Sequence, residues 1–448
     1  MPHQAAFRTL VFAALLVLAA CAAPRSEAPA EPSAEQRPFV VTSPEGNRED
    51  PWYWLRDDER KDPDVIAYLE AENAWYEAYE ARYSGLVDKL YEEIVARIKQ
   101  DDATVPVFDN GYWYYARYEE GKQYPIHARR QGSMDAPEEV LLDGNAMAEG
   151  HAYFGLGGYE VSDDNRLLAW SEDTVGRRQY VLKVKDLATG ELLADGIERV
   201  SSFTWAGDSK TLFYVENHPV TLLSYRVLRH ELGAAGEDAV VYEEADTSFY
   251  TYVGRSRSRD YVAIYLSSTE STEVRVLEAD QPTGEFRVFL PRERGHLYLP
   301  DHQGDRWIVR TNKDAPNYRL MSVPVGAESD FGQWTDVVPH SEDVFIQGFL
   351  VFDTFLAIGE RSDGMLRVRV RTWDGAEKYL PADQVPSTTW LSGNGNPRLD
   401  TTVLRYAYTS MTTPTTIYDI DVVTGERELL KRDPVLGDFD PDNYETER

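Results

Sequence analysis

"DNRLLAWSEDT", from Asp164 to Thr174, decides the fold. An Asp-Asn turn leads into a strand-like run of apolar and aromatic residues, which ends on acids. The same plan returns in "NGYWYYARYEE" from Asn110, "DSKTLFYVENH" from Asp208 and "SRDYVAIYLSS" from Ser258. Looser copies start at Gly304 ("GDRWIVRTNKD"), Phe352 ("FDTFLAIGERS") and Leu399 ("LDTTVLRYAYTS"). Copies spaced roughly 40 to 55 residues apart, each with paired strands, are the sequence signature of a β-propeller with four strands to a blade. Seven copies predict seven blades. A second motif supports the strand pairing: "KDLATGELL" near Lys185, "ADQPTGEFRVF" near Ala279 and "IDVVTGERELL" near Ile420 each read as a strand, a Thr-Gly turn and a returning strand. A large sandwich or two stacked β domains is the alternative. The propeller accounts better for the length, because each blade buries its faces against its neighbours and no single globular core is needed.

Composition agrees with a β-rich chain. Of 448 residues 12% are aromatic, with 28 Tyr and 10 Trp, types that suit a pleated, half-buried surface. The net charge of −31 argues against a nucleic-acid partner, since phosphate contacts need clustered Lys and Arg. It fits a solvated surface or cationic partners.

Two segments precede the repeats. In "KDPDVIAYLEAENAWYEAYEARYSGLVDKLYEEIVARIKQ", Lys61 to Gln100, Asp62 is a suitable N-cap and Pro63 suits the first helical position. Apolar residues then recur at helical spacing: Trp75, Tyr79, Tyr83, Leu86, Leu90, Ile94 and Ile98. This predicts one or two amphipathic helices with a break near Ser84-Gly85, whose aromatic stripe packs on another part of the fold. Further upstream, Arg8 precedes the apolar run Leu10 to Leu18, too short to span a bilayer but right for a signal segment. "LAAC", Leu18 to Cys21, resembles the lipobox of bacterial lipoproteins, which implies cleavage before Cys21 and its acylation. An ordinary secretory signal containing a Cys is the alternative. The Ala-, Pro- and Glu-rich stretch from Ala22 to Pro38 reads as a disordered tether. The expected division is a lipoprotein-type signal peptide at 1–20, a tether at 21–44, a helical segment at 45–102, a propeller at 103–432 and a linker at 433–448. Export to the periplasm or cell envelope follows, with the chain held at the membrane through Cys21.

No catalytic constellation is legible. No serine has glycines two positions before and after it, as the nucleophile elbow G-x-S-x-G requires. The single cysteine, Cys21, sits at the processed terminus and leaves neither a disulfide framework nor a thiolate cluster. The eight histidines (3, 127, 151, 218, 230, 296, 302, 340) form no H-x-x-x-H pair and read as surface or packed residues. "LSGNGNP", Leu391 to Pro397, lacks the strand-to-helix context of a phosphate cradle and reads as a loop. Asp438, Asp440 and Asp442 begin like a calcium loop, but Asn443 stands where the sharp-turn glycine belongs. No catalytic, cofactor-binding or metal residue is assigned; the one site residue is Cys21, for lipidation.

Several stretches resemble the prolyl oligopeptidase family, in particular its oligopeptidase B branch. They are "DPWYWLRDDERKDPDVIAYLEAEN" (Asp50 to Asn73), "VSDDNRLLAWSEDTVGRRQYVLKVKDLATGE" (Val161 to Glu191), "RYAYTSMTTPTTIYDIDVVTGERELLK" (Arg405 to Lys431) and "LGDFDPDNYETER" (Leu436 to Arg448). The resemblance implies a two-domain serine endopeptidase: a seven-bladed propeller, preceded by helices, caps an α/β-hydrolase domain that carries Ser, Asp and His. It implies cleavage of short peptides after Arg or Lys, with no cofactor. The family's triad and the acids that read the basic side chain have no counterpart position in this chain. The expected role is therefore the substrate-gating propeller part of such a peptidase, inactive alone, with a hydrolase domain in cis or in trans as partner. One half of a split peptidase, or a lipid-anchored propeller acting as a binding or scaffold module, are the alternatives. The tail "DPVLGDFDPDNYETER" (Asp433 to Arg448) reads as the hinge towards the hydrolase domain, with Phe439 and Tyr444 packed at the junction.

Overall fold

The computed structural model describes residues 30–448; Cys21, the signal segment and the first part of the tether lie outside them. The chain divides into two units at Arg97 and Ile98.

In the first unit, a hairpin of β1 (Val40–Ser43) and β2 (Gly46–Glu49) precedes the helix Pro63–Glu80. That helix starts where the sequence places it: Asp62 Oδ1 accepts the Asp64 amide at 2.9 Å, and Pro63 needs no acceptor at a position whose N–H would be free. A single 3-10 turn, Ala81–Tyr83, separates it from the helix Ser84–Val95, the break expected near Ser84-Gly85. The stripe is in place but bare. Trp75, Tyr79 and Tyr83 follow one another at ring distances of 5.5 and 5.6 Å, yet Tyr79, Tyr83, Leu86, Leu90 and Ile94 are all exposed. Val65 is the one buried residue of the two helices.

The second unit is all β. Five sheets have four strands each: β3–β6 (Val107–Asp109, Tyr112–Arg117, Ile126–Gln131, Glu139–Asp143), β14–β17 (Tyr250–Arg255, Tyr261–Ser267, Thr272–Glu278, Arg287–Leu290), β18–β21 (Tyr298–Gln303, Arg306–Thr311, Arg319–Pro324, Thr335–Val338), β22–β25 (Val344–Val351, Phe355–Ser362, Met365–Thr372, Glu377–Tyr379) and β26–β29 (Thr388–Leu391, Val403–Thr409, Thr416–Asp421, Arg427–Arg432). The remaining strands form one seven-stranded sheet: β7 (Gly155–Val161), β8 (Leu167–Asp173), β9 (Tyr180–Asp186), β10 (Leu192–Trp205), β11 (Thr211–Asn217), β12 (Ser224–Glu231) and β13 (Ala239–Glu243). All pairings are antiparallel between consecutive strands, the up-and-down plan of a propeller blade.

The expected seven separate blades are thus corrected: five stand as free four-stranded sheets, and two of the seven repeat copies, from Asp164 and Asp208, share one sheet. The cause is β10. It runs 14 residues, pairing with β9 from Leu192 to Val200 and with β11 from Val200 to Trp205. Register shifts at Leu192/Ala194, Asp195/Ile197, Ile197/Val200 and Val200/Ser202 bend the strand without ending it.

Burial follows from stacking sheet on sheet. Second strands such as β11 and β15 are buried almost throughout, since both of their faces meet a neighbouring sheet. Tyr261, Val274, Val276 and Phe289 of β14–β17 interlock with Trp307, Val309, Met321 and Trp334, from β18–β21 and the loop before its last strand. The sheets β3–β6 and β26–β29 each complete themselves without borrowing a strand from the other. Side chains join them instead: Arg405 Nη1 donates to the Pro106 carbonyl at 2.8 Å, and Lys431 Nζ donates to Asp102 Oδ2 at 2.5 Å and to the Ala103 carbonyl at 2.7 Å.

Candidate functional site: the propeller channel

A cavity of about 1230 Å³ in the second unit runs along strands from several sheets. Its wall includes Val107 and Asp109 of β3, Leu156 to Val161 of β7, Ser201 to Trp205 of β10, Tyr252 to Arg255 of β14 and the loop Ser392 to Pro397 after β26. This is the axial channel that a ring of blades leaves at its centre.

The wall is aromatic and charged. Tyr114, Tyr159, Tyr252 and Tyr265 face it, with the Tyr252 and Tyr265 rings 6.0 Å apart. Desolvation raises the phenol pKa of all four, so they serve as neutral donors and π surfaces. Glu160, on β7, accepts the Trp205 amide at 3.3 Å, and burial pushes its carboxyl up to about 7 against the pull of Thr204, Arg255 and Arg259. Asp301, on β18, accepts the amides of Arg257 at 3.1 Å and His302 at 3.0 Å; burial still holds it up at about 6.

The hairpin between β14 and β15 adds Arg255, Arg257 and Arg259. Arg255 Nη1 donates to Asp163 Oδ2 at 2.8 Å, and its Nη2 donates to the Arg259 carbonyl. Arg259 pairs with Asp109 and lies 3.6 Å from Asp163 Oδ1. Arg257 Nη2 donates to the Asn396 carbonyl at 2.7 Å, and its guanidinium lies 5.0 Å from the centre of the Phe352 ring.

Among the described residues, one Ser–His–Asp group comes together beside the channel, in a geometry unsuited to hydrolysis. Ser258, His302 and Asp260 approach one another, at 2.9 Å from Ser258 Oγ and 3.3 Å from Asp260 Oδ2 to the histidine. Both contacts fall on the same nitrogen, Nδ1, whereas a base must take the serine proton on one ring nitrogen and be oriented through the other. The ring is packed between Tyr261 and Trp307, and burial lowers its pKa. His296 is likewise buried, its Nε2 on Thr311 Oγ1 at 2.8 Å.

The stretch Leu391 to Pro397 leaves the end of β26 through a 3-10 turn, Gly393–Gly395, held by Asn396, which accepts the Arg405 amide at 2.8 Å and donates to the Ser392 and Arg405 carbonyls at 2.9 Å. Its place in the channel wall was not legible. Asp440 caps a 3-10 turn by accepting the Asp442 amide at 3.0 Å. Phe439 and Tyr444 stack on each other at 5.6 Å, and both are exposed. The arginine hairpin escaped sequence reading altogether. "RSRSRD" has the composition of an ordinary charged turn, and the partners of Arg257 and Arg259 lie 139 and 150 residues away.

Comparison with known proteins fits this architecture. The family described as "Prolyl oligopeptidase, N-terminal beta-propeller domain" matches residues 31–433. The chain is 47% identical over 436 residues to dipeptidyl aminopeptidase BI of Pseudoxanthomonas mexicana, covering 93% of this chain and 60% of that protein. It is 31% identical over 412 residues to Protease 2 of Moraxella lacunata, covering 90% of this chain and 58% of that protein. Among solved structures, oligopeptidase B of Leishmania major superposes with a TM-score of 0.86 at 28% identity, covering 94% of this chain and 63% of that one. The chain therefore spans about three fifths of the length of these relatives. By profile, relatives and propeller architecture together, it belongs to the prolyl oligopeptidase family.

Proposed function

We propose that this chain is the access-controlling propeller part of a serine peptidase of the oligopeptidase B and dipeptidyl aminopeptidase type. The observation that carries this reading is the axial channel, lined by tyrosines, carboxyls and arginines, in a chain of the prolyl oligopeptidase family. The channel can hold an extended peptide and exclude a folded protein, while nucleophile, base and oxyanion donors come from an α/β-hydrolase domain in cis or in trans. The bare stripe Tyr79, Tyr83, Leu86, Leu90 and Ile94 supports such a partner, because an exposed apolar face of this extent is what an interdomain contact would cover. Substrates are short peptides cleaved after Arg or Lys, a preference that the net negative charge of the chain favours. Lipidation at Cys21 after export would place the protein at the cell envelope.

The test is turnover of an Arg- or Lys-containing fluorogenic peptide by the purified chain. We expect none; turnover by the chain alone overturns the division of labour. Restoration of activity by an added family hydrolase domain supports it. Incorporation of labelled palmitate in a bacterial host, lost in Cys21→Ser, tests the anchor separately.

A further inference from the structure

The three hairpins that follow β7, β10 and β14 use one turn design and match residue by residue. In Ser162–Leu167, Ala206–Thr211 and Ser256–Tyr261, the first amide donates to the sixth carbonyl at 2.8 to 2.9 Å. The fourth amide donates back to the first carbonyl. The fourth residue is left-handed in all three: Asn165 at φ 62°, Ser209 at 55° and Arg259 at 66°. Short polar residues suit that conformation, and a long branched-headed side chain does not. Position two is Asp163, Gly207 and Arg257 in the same order. The turn thus forms with small residues at both positions, and the third copy carries arginines that the backbone does not ask for.

Their contacts show what they do. Arg259 reaches Asp109 at the end of β3, and Arg257 reaches Asn396 after β26, in two sheets that are not neighbours of β14–β17 in the ring. Arg255 ties the hairpin to Asp163 after β7. The hairpin therefore lies across the channel. Its end of the channel is the one away from where the chain enters and leaves, since β3 starts and β29 ends beside the Asp102–Lys431 contact, and the hairpin follows the far end of a channel strand. Arg257 is also poorly compensated: Nε and Nη1 are buried without a partner, and the nearest carboxylate, Asp301, is 3.9 Å away. A guanidinium left in that state favours release.

We propose that Arg255 to Asp260 is an ion-paired bar across the far mouth of the channel, and that Arg257 and Arg259 set the width of the peptide that can pass there. This rests on reading the channel as the passage for peptides, and the test below uses no peptidase activity. In a Cys21→Ser background, Tyr252→Cys places a thiol on the exposed channel face three residues before Arg255. Labelling by a small maleimide and by a bulky one is compared with and without Arg257→Gly/Arg259→Asn, the residues of the sibling turns. The bulky reagent should react severalfold faster once the arginines are gone, the small one at an unchanged rate, with the melting temperature held or raised. Asp109→Asn/Asp163→Asn keeps the arginines, removes their partners, and should give the same selective gain. Equal bulky-reagent rates in all three proteins overturn the proposal. So does a lowered melting temperature without a gain in labelling, which would make the arginines structural fasteners.

Discussion

The recurring Asp-x-x-Thr-Gly turn shows how far one residue carries. Asp186 Oδ1 accepts the amides of Ala188 at 2.9 Å and Thr189 at 3.1 Å, and Asp421 Oδ1 repeats this with Val423 at 2.9 Å and Thr424 at 2.7 Å. With Thr402 Oγ1 on its other oxygen, Asp421 is held down at about 2, and its share of stability is lost as pH falls from 3.8 towards that value. The third copy looks the same in sequence but has Pro282 where those turns have Ala188 and Val423, so the first donor is missing; Gly190 and Gly425 are left-handed and Gly284 is not. Glu160 runs the opposite way. Its carboxyl is raised from 4.5 to about 7, so the folded chain keeps a proton that the unfolded chain has released. Stability attributable to it therefore falls as pH rises from 4.5 to 7, by on the order of 1–3 kcal/mol. Glu160→Gln should raise the urea midpoint at pH 8 and leave it nearly unchanged at pH 5; equal effects at both pH values would remove burial of the charge as the cause.

Among elements, the helices were the most legible and the blade count the least. Asp62, Pro63 and a 3.6-residue stripe specify a helix locally, and nothing distant is needed to override them. What local pattern cannot supply is the surface that the stripe meets. Leu90→Glu should lower hydrophobic-dye binding while shifting stability by no more than about 0.5 kcal/mol, since an exposed side chain has little to lose. A large loss of stability, read by chemical denaturation, would mean the stripe is packed in solution. The copies at Asp164 and Asp208 read as separate blades because each opens with its own turn. Their fusion depends on β10 pairing on both of its edges through four register shifts, and bulges have no signature in apolar periodicity. The channel is a stricter case. Tyr252 and Glu160 read as strand residues like any others, and only ring closure brings them to one wall.

At the scale of the whole molecule, that closure rests on side chains. Arg405 pairs with Asp419 through Nε at 2.8 Å and Nη2 at 2.9 Å while its Nη1 holds the Pro106 carbonyl. Arg405→Ala should cost about 1.5–3 kcal/mol, because it strands a carboxylate as well as the bond across the gap. Hydrogen exchange should then quicken first in β3–β6 and β26–β29; uniform quickening around the ring would argue against a localised closure. Mechanically, such a ring is a split washer. Tension applied at residues 98 and 432 loads the Asp102–Lys431 and Pro106–Arg405 contacts before it shears any ladder of backbone bonds. Within the second unit those side-chain contacts, with the Arg257 and Arg259 ties to the same two sheets, are where such a load would be carried.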